Sequence, residues 1–198
     1  MDANGPAALS PTKGGLPIVG FADAPAFAAW LAGRDETATG AWLRFAKKGS
    51  GATTLSHRGA IDCALCEGWI DGQAAPEDER FFLVRFTPRR PRSNWSQVNR
   101  ARVDELTAEG RMRPRGSREA DAARADGRWD RAYPSSRTAT APDDLRVALE
   151  GCPAAAARFA GLNRSERYAL LFALANARKD ETRRRRIASF LVAAQPSD

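Results

Sequence analysis

Side chains in the first half of the chain alternate between hydrophobic and polar with a period of two, which is the spacing along a strand. This alternation predicts a strand over residues 41–46 and another over residues 81–86. A short strand is predicted at residues 69–70, because the Asp-Gly turn signal at residues 71–72 follows it. The pattern therefore indicates a small sheet in this half of the chain.

Between these strands the hydrophobic spacing changes to that of a helix. Asp23 is expected to cap a first helix and Ser56 a second, since both residue types accept hydrogen bonds from helix N–H groups. Residues 87–92 contain two prolines and are expected to leave the sheet, because proline cannot donate to a central ladder. A third helix follows, capped by either Ser93 or Ser96.

The strand pattern ends after Gly110, and helical spacing continues to the C-terminus. Residues 117–126 predict a polar helix. Four further helices are predicted: Pro142 and Pro153 are each expected to open one, and Ser165 and Asp180 are each expected to cap one.

These elements predict an α+β fold, with a small mixed sheet and flanking helices in the N-terminal half and an all-helical C-terminal subdomain. Residues 1–19 are rich in Gly, Pro, Ser and Ala and are expected to form a flexible tail. The other predicted boundaries are an α+β domain over residues 20–128, a linker over 129–139 and a helical subdomain over 140–196.

Composition narrows the class of protein. No stretch approaches the roughly 20 consecutive apolar residues that a membrane-spanning helix needs, so no membrane insertion is expected. The first residues have neither the basic nor the apolar region of an export signal, which favours a cytoplasmic location. Three cysteines, an odd number, favour reduced thiols over a disulfide framework.

The positive charge is concentrated in one segment. The net charge of the chain is +7, and residues 80–118 carry 11 arginines against 3 acidic side chains. Arginine forms planar bidentate contacts with phosphate and carboxylate, so this segment is a candidate for binding anions. The alternative is compositional, because the whole chain prefers arginine to lysine.

Three weaker motifs each have a structural interpretation that we prefer. His57 is the only histidine and is expected to be a surface or capping residue at the start of a helix. Cys63 and Cys66 lie late in that helix, so we interpret them as buried apolar side chains, and no metal site and no cofactor is predicted. Residues 47–51 (Lys-Lys-Gly-Ser-Gly) are interpreted as an exposed turn, with a ligand-binding loop as the alternative.

Residues 183–186 are four consecutive arginines at the start of a helix. Four consecutive side chains point around most of a helix, so at least one is expected to meet Asp180, Glu181 or an upstream carboxylate. Nucleic-acid binding is the alternative interpretation.

Residues 87–100 hold the densest set of polar and basic side chains. Three arginines precede hydroxyl and amide side chains at a predicted helix start, where free N–H groups attract anions. The residues expected to form one ligand- or anion-binding site are Trp69, Asp71, Arg89, Ser93, Asn94, Trp95, Ser96 and Asn99. In the alternative, Arg89 and Arg92 pair with Glu67 or Asp71. Ser96 then only caps the helix, and Trp95 belongs to the core.

Several short strings carry a family resemblance. The most specific are Gly-Trp-Ile-Asp at residues 68–71 and Ser-Asn-Trp-Ser at residues 93–96. The back half adds residues 142–145, and residues 181–183 with residues 186–187. Through these strings, residues 21–194 resemble the YdeI/OmpD-associated family, also described as bacteriocin-protection proteins.

The resemblance implies a non-enzymatic binding protein linked to bacteriocin, antimicrobial-peptide or stress tolerance, and it brings no reaction, cofactor or catalytic residue. An anionic small molecule or a protein is the expected partner, and the oligomeric state is left open. One alternative is nucleic-acid or nucleotide binding through residues 80–118. The other is an enzyme with an unrecognised site around Asp71 and Arg89.

Overall fold

The computed structural model describes residues 11–35, 37–177 and 179–194. They form two compact units. The first runs to Ser93 and resumes over Ala101–Trp129, and the second comprises Asn94–Arg100 and the residues from Asp130 onward.

The first unit contains a mixed five-stranded sheet. Its strands in chain order are β1 (Thr12–Lys13), β2 (Leu16–Gly20), β3 (Ala41–Ala46), β4 (Trp69–Pro76) and β5 (Phe81–Pro88). Their spatial order is β1-β2-β3-β5-β4, in which β2 and β3 pair in parallel and every other pair is antiparallel. The predicted α+β class is confirmed.

Three sequence predictions about this sheet are corrected. Residues 12–13 and 16–19, expected to belong to a flexible tail, lie in strands β1 and β2, which pair with each other and, through β2, with β3; residues 1–10 of that tail lie outside the described residues. The strand predicted at 69–70 extends to Pro76 through a register shift between Asp71 and Ala74, so residues 71–72 do not end it. Pro88, expected to leave the sheet, stays in it and pairs with Trp69 of β4. The pairing of β5 with β3 ends at Phe86, so the missing N–H of Pro88 removes no hydrogen bond to β3.

Four helical segments accompany the sheet in this unit, and α1 and α2 contribute side chains to the same core as the strands. They are α1 (Ala24–Ala32), α2 (His57–Cys66), α4 (Pro114–Ala125) and the part of α3 (Gln97–Ala108) that follows residue 100. The predicted caps are confirmed: Asp23 accepts from the Ala26 N–H and Ser56 from the Gly59 N–H. The main core of the unit contains Phe27, Leu31, Leu43, Phe45, Trp69, Val84 and Phe86.

Helix α4 approaches the end of α2 closely. A Cβ placed on Gly116 would lie 2.5 Å from the Leu65 carbonyl oxygen and closer still to that of Cys66. Real Cβ atoms do not come this close to a carbonyl, so the contact requires glycine. The Arg113 N–H also donates to the Cys66 carbonyl, at 3.1 Å.

A buried ion pair joins α2 to α3. The Arg102 guanidinium donates from Nε and Nη2 to the two carboxylate oxygens of Asp62, both at 2.7 Å. The side chains are 16% and 11% exposed. Because both oxygens are satisfied in a fork geometry, the pair compensates much of the cost of burying two charges.

The second unit is helical apart from one bridge between Ser96 and Tyr133. Its helices are the first turn of α3, α5 (Asp143–Glu150), α6 (Pro153–Gly161), α7 (Arg164–Ala175) and α8 (Asp180–Val192). They enclose a core of Leu145, Leu149, Ala155, Leu171, Leu174 and Ile187. Among the described residues, no helix is both long and apolar enough to span a bilayer.

Two predicted helix starts in this unit are corrected. Helix α7 is capped by Asn163 rather than Ser165, because Asn163 and Glu166 satisfy each other's backbone N–H groups in a capping box. Asp180 is the first helical residue of α8 rather than its cap.

Candidate functional site

The first unit contains an open cavity of about 430 Å³, between the loop after β3 and the start of α2. Its lining includes three groups of polar or aromatic side chains. Basic nitrogens come from Lys47, Lys48 and His57, hydroxyls from Thr53, Thr54 and Ser56, and aromatic rings from Phe45 and Phe82. None of the described residues that line it is acidic.

The loop over residues 47–51 is shaped by two glycines with positive φ, 81° at Gly49 and 70° at Gly51. Lys47 fixes the loop to the turn between β4 and β5, because its N–H donates to the Arg80 carbonyl and its Nζ to the Asp78 carbonyl, both at 2.8 Å. Lys48 is exposed and forms no ion pair among the residues that the structure describes. Its ammonium group is therefore available to a ligand.

The N-terminus of α2 forms another part of the lining. Ser56 caps the helix at Gly59, and the first turn of α2 contains no acidic residue. The positive end of the helix dipole is consequently not neutralised by its own first turn. Together with Lys47 and Lys48 it makes the local potential positive.

His57 lies at this helix start and faces a carboxylate. Its Nε2 is 3.7 Å from Asp71 Oδ2, and the imidazole side chain is 42% exposed. The ring packs edge-on against Phe45, with centroids 5.4 Å apart and an interplanar angle of 88°. His57 is thus held by an aromatic neighbour and a carboxylate while part of it remains accessible.

Aromatic rings give the cavity a flat apolar surface. The rings of Phe45 and Phe82 stack with centroids 5.5 Å apart and an interplanar angle of 27°. Phe45 is buried, whereas Phe82 is half-buried. A ligand that combines an anionic group with a flat apolar part matches this lining chemically.

The predicted site residues are divided between the two units. In the first unit, Trp69 is fully buried and lies opposite Pro88 in the sheet. Arg89 is also buried, and its N–H donates to the Gly68 carbonyl at 2.9 Å. Ser93 accepts from the Arg90 N–H at 2.9 Å. The ion-pair contact of Asp71 is with His57, which was not in the predicted set.

The other four predicted residues belong to the second unit. Trp95 is buried, and its carbonyl accepts from the Tyr133 N–H at 2.9 Å. Ser96 caps α3 by accepting from the Asn99 N–H at 3.0 Å, which confirms one of the two proposed caps. The Asn94 side chain donates to that of Asn176.

The sequence analysis interpreted Lys48 as part of an exposed turn and His57 as a surface or capping residue, because the signal for a ligand site is weak at each position alone. The signal that could have joined them is their order: a basic loop directly after a strand, followed within ten residues by a capped helix start. When a strand, a basic loop and a helix N-terminus follow one another along a chain, the basic groups often lie beside the free N–H groups of the helix.

The two cysteines of the C-x-x-C motif are buried free thiols, as predicted. Burial raises the pKa of the Cys63 thiol, and it raises that of Cys66 to about 11. Both thiols are therefore protonated near neutral pH, whereas metal binding and nucleophilic attack require the thiolate.

Three of the eleven arginines of residues 80–118 have partners within the first unit. Arg102 pairs with Asp62, Arg111 donates to Glu109 at 2.8 Å, and Arg115 donates to the Arg34 carbonyl at 2.6 Å. These three guanidiniums are partnered and not held ready for phosphates. The local density of arginine in the sequence is thus explained in part by intramolecular contacts.

The fold and the cavity define an α+β protein with a cationic, aromatic-floored cavity in its sheet-containing unit and a helical second unit. Residues 19–119, just over half of the chain, match the model of a family described as Domain of unknown function (DUF8412), and the chain belongs to that family. Residues 138–195 match a second family model, described as "Bacteriocin-protection, YdeI or OmpD-Associated". This match confirms the resemblance in the C-terminal segment. Comparison with the curated proteins and with the solved structures gave no match.

Proposed function

We propose that this protein binds a small anionic ligand with a flat apolar part in the cavity beside His57. The observation that carries the proposal is the lining, which combines three basic side chains with a helix N-terminus and two stacked phenylalanines, and in which no described residue is acidic. The volume of about 430 Å³ lies within the usual range for small-molecule sites.

Each part of the cavity has a stated role in this proposal. Lys48 and His57 contact the anionic group, and the N–H groups at the start of α2 add to the positive potential around it. Phe82 and the edge of Phe45 contact the flat apolar part. Asp71 acts through His57, whose ring it faces at 3.7 Å.

Isothermal titration calorimetry on the full chain tests the proposal with three probes: adenosine monophosphate, benzoate and inorganic phosphate. Adenosine monophosphate or benzoate is expected to bind more tightly than phosphate, because each adds a ring that packs on the phenylalanines. Lys48→Gln and His57→Gln should each weaken binding by about tenfold, the usual effect of one lost charge-assisted hydrogen bond.

Arg58→Gln is the matched control, because Arg58 lies next to His57 in α2, is exposed and does not line the cavity. It should change the dissociation constant by less than about twofold. Equal weakening by Arg58→Gln, or no binding of any probe at millimolar concentration, would contradict the proposal. Tighter binding of a short single-stranded oligonucleotide, lost steeply with added salt, would favour the nucleic-acid alternative instead.

We further propose that the protein acts in the cytoplasm and protects the cell against bacteriocins. Its support is the match of residues 138–195 to the bacteriocin-protection family. Cells producing the wild-type chain should survive bacteriocin challenge better than cells producing the Lys48→Gln/His57→Gln variant at equal abundance. Equal survival of the two kinds of cell would show that ligand binding in this cavity does not contribute to protection.

A further inference from the structure

We propose that the second unit holds an independent site, in which three arginines bind a compact oxyanion carrying two or more negative charges. The site is a cavity of about 280 Å³ between the segment after Tyr133, the end of α6 and the first two turns of α7. Arg137, Arg164 and Arg167 line it together with Ser136 and Tyr168.

The charge of this cavity is not balanced from within. Its lining has three guanidinium groups, and none of the described residues that line it is acidic. Arg137 and Arg164 are exposed, and neither guanidinium has a hydrogen bond or an ion pair among the residues that the structure describes. Guanidinium forks of this kind bind carboxylate and phosphate groups in bidentate geometry.

Arg167 is the fixed part of the site. Its Nη2 donates to the carbonyls of Ala160 at 3.1 Å and Leu162 at 3.4 Å, which holds the side chain against the end of α6. Its Nε is buried, and no hydrogen-bond acceptor for it lies among the described residues. The guanidinium carbon also lies 5.4 Å from the centroid of the Phe159 ring, and this contact helps to hold the positive charge beside the cavity.

The three polar residues of α7 that line the cavity lie on one face of the helix. Arg164, Arg167 and Tyr168 follow the i, i+3, i+4 spacing of a single helix face. The capping box of Asn163 and Glu166 fixes where the helix begins, and Glu166 does not line the cavity. Tyr168 donates its hydroxyl to the Pro134 carbonyl at 3.2 Å, which joins this face to the segment that carries Arg137.

That segment, which lies in the predicted linker, is ordered by its own hydrogen bonds. The Ser135 carbonyl accepts from the N–H groups of Thr138 at 3.0 Å and Ala139 at 2.8 Å. Ser135 Oγ also accepts from the Arg137 N–H at 3.3 Å. The turn positions Ser136 and Arg137 at the cavity before any ligand binds, which lowers the ordering cost of binding.

Two probes test the site and distinguish its two possible ligand chemistries: pyrophosphate for phosphates and citrate for carboxylates. Calorimetric titrations use the full chain carrying Lys48→Gln and His57→Gln, so that the first cavity does not contribute. At least one probe should bind with a stoichiometry of one. Arg137→Gln and Arg164→Gln should each weaken that binding by about tenfold.

Arg184→Gln and Arg185→Gln are matched controls, because both residues are exposed arginines of the same unit outside the cavity. Each should change the dissociation constant by less than about twofold. Thermal unfolding of every variant shows whether it is folded. The Arg137 and Arg164 variants should fold, because both side chains are exposed and neither guanidinium has a hydrogen bond or an ion pair among the described residues. Failure of both probes to bind, or equal weakening by the controls, would overturn the proposal.

Discussion

The guanidinium of Arg183 in α8 forms two hydrogen bonds with the carboxylate of Asp144 in α5. Nη2 donates to Oδ1 at 2.8 Å and Nε to Oδ2, while Nη1 donates to the Leu174 carbonyl at 2.8 Å. One side chain of α8 thereby contacts both α5 and α7. The expectation that an arginine of residues 183–186 meets an upstream carboxylate is confirmed, and both partners belong to strings that carried the family resemblance.

This pair predicts an acid-dependent loss of stability. The hydrogen bond from Arg183 holds the pKa of Asp144 below its ordinary value. The stabilisation is therefore present above the ordinary pKa of an aspartate, near 4, and is lost as the pH falls through the lowered value. Asp144→Asn should reduce the unfolding free energy by about 1 kcal/mol near pH 7 and by much less near pH 3.

Urea unfolding followed by circular dichroism measures this difference. Asp143→Asn is the control, because Asp143 also lies in the first turn of α5 but its side chain is 92% exposed. If Asp144→Asn lowers the unfolding free energy equally at pH 7 and pH 3, the ion pair with Arg183 is not the cause of the loss.

The buried pair of Asp62 and Arg102 should be far more sensitive to substitution. Arg102→Met leaves a buried carboxylate without its partner and should cost about 3–5 kcal/mol of unfolding free energy. Adding Asp62→Leu should restore much of that loss, since the uncompensated charge is then removed. Arg111→Met, which breaks a pair whose side chains are 45% and 42% exposed, is the matched control and should cost about 1 kcal/mol or less. Denaturant titrations that place the two single arginine variants at equal stability would contradict the buried-pair assignment.

The contact of α4 with the end of α2 predicts that Gly116 cannot be enlarged. Gly116→Ala places a methyl group against the carbonyls of Leu65 and Cys66 and should destabilise the protein by about 1–3 kcal/mol or more. Gly161→Ala is the control, because a Cβ at Gly161 would have no neighbour within 4 Å. Differential scanning calorimetry should show a large fall in Tm for the first variant alone.

Thiol reactivity should separate the three cysteines. Cys63 and Cys66 are buried, and their raised pKa values keep them protonated, whereas Cys152 is only half-buried. Iodoacetamide near pH 8 should modify Cys152 first in the native chain and all three cysteines after unfolding in urea. Mass spectrometry counts the adducts, and rapid modification of Cys66 in the native chain would contradict its burial.

Local signals in the sequence predicted local structure. The caps at Asp23 and Ser56 depend on residues three positions away, and the strand at residues 41–46 depends on its own alternation, so these predictions are confirmed. Strand β2 was missed because its parallel pairing with β3 is a long-range contact that leaves no local signal in a short Leu-Pro-Ile-Val-Gly segment.

The first cavity was missed for the same reason. Its basic groups come from a loop and a helix start whose separate signals are weak, and the turn between β4 and β5 holds the loop through Lys47. Asp71 reaches His57 from a strand with an irregular register, and nothing in the Asp-Gly string predicts that irregularity.

The imidazole of His57 offers the most direct measurement of the proposed ligand site. His57 is the only histidine of the chain, so the long-range ¹H–¹⁵N spectrum of the imidazole nitrogens contains signals from one residue alone. Titration with adenosine monophosphate should shift these signals saturably, with the dissociation constant found by calorimetry, and Lys48→Gln should move the midpoint to about tenfold higher concentration. Imidazole signals that stay unchanged at saturating ligand would contradict the assignment of this cavity as the binding site.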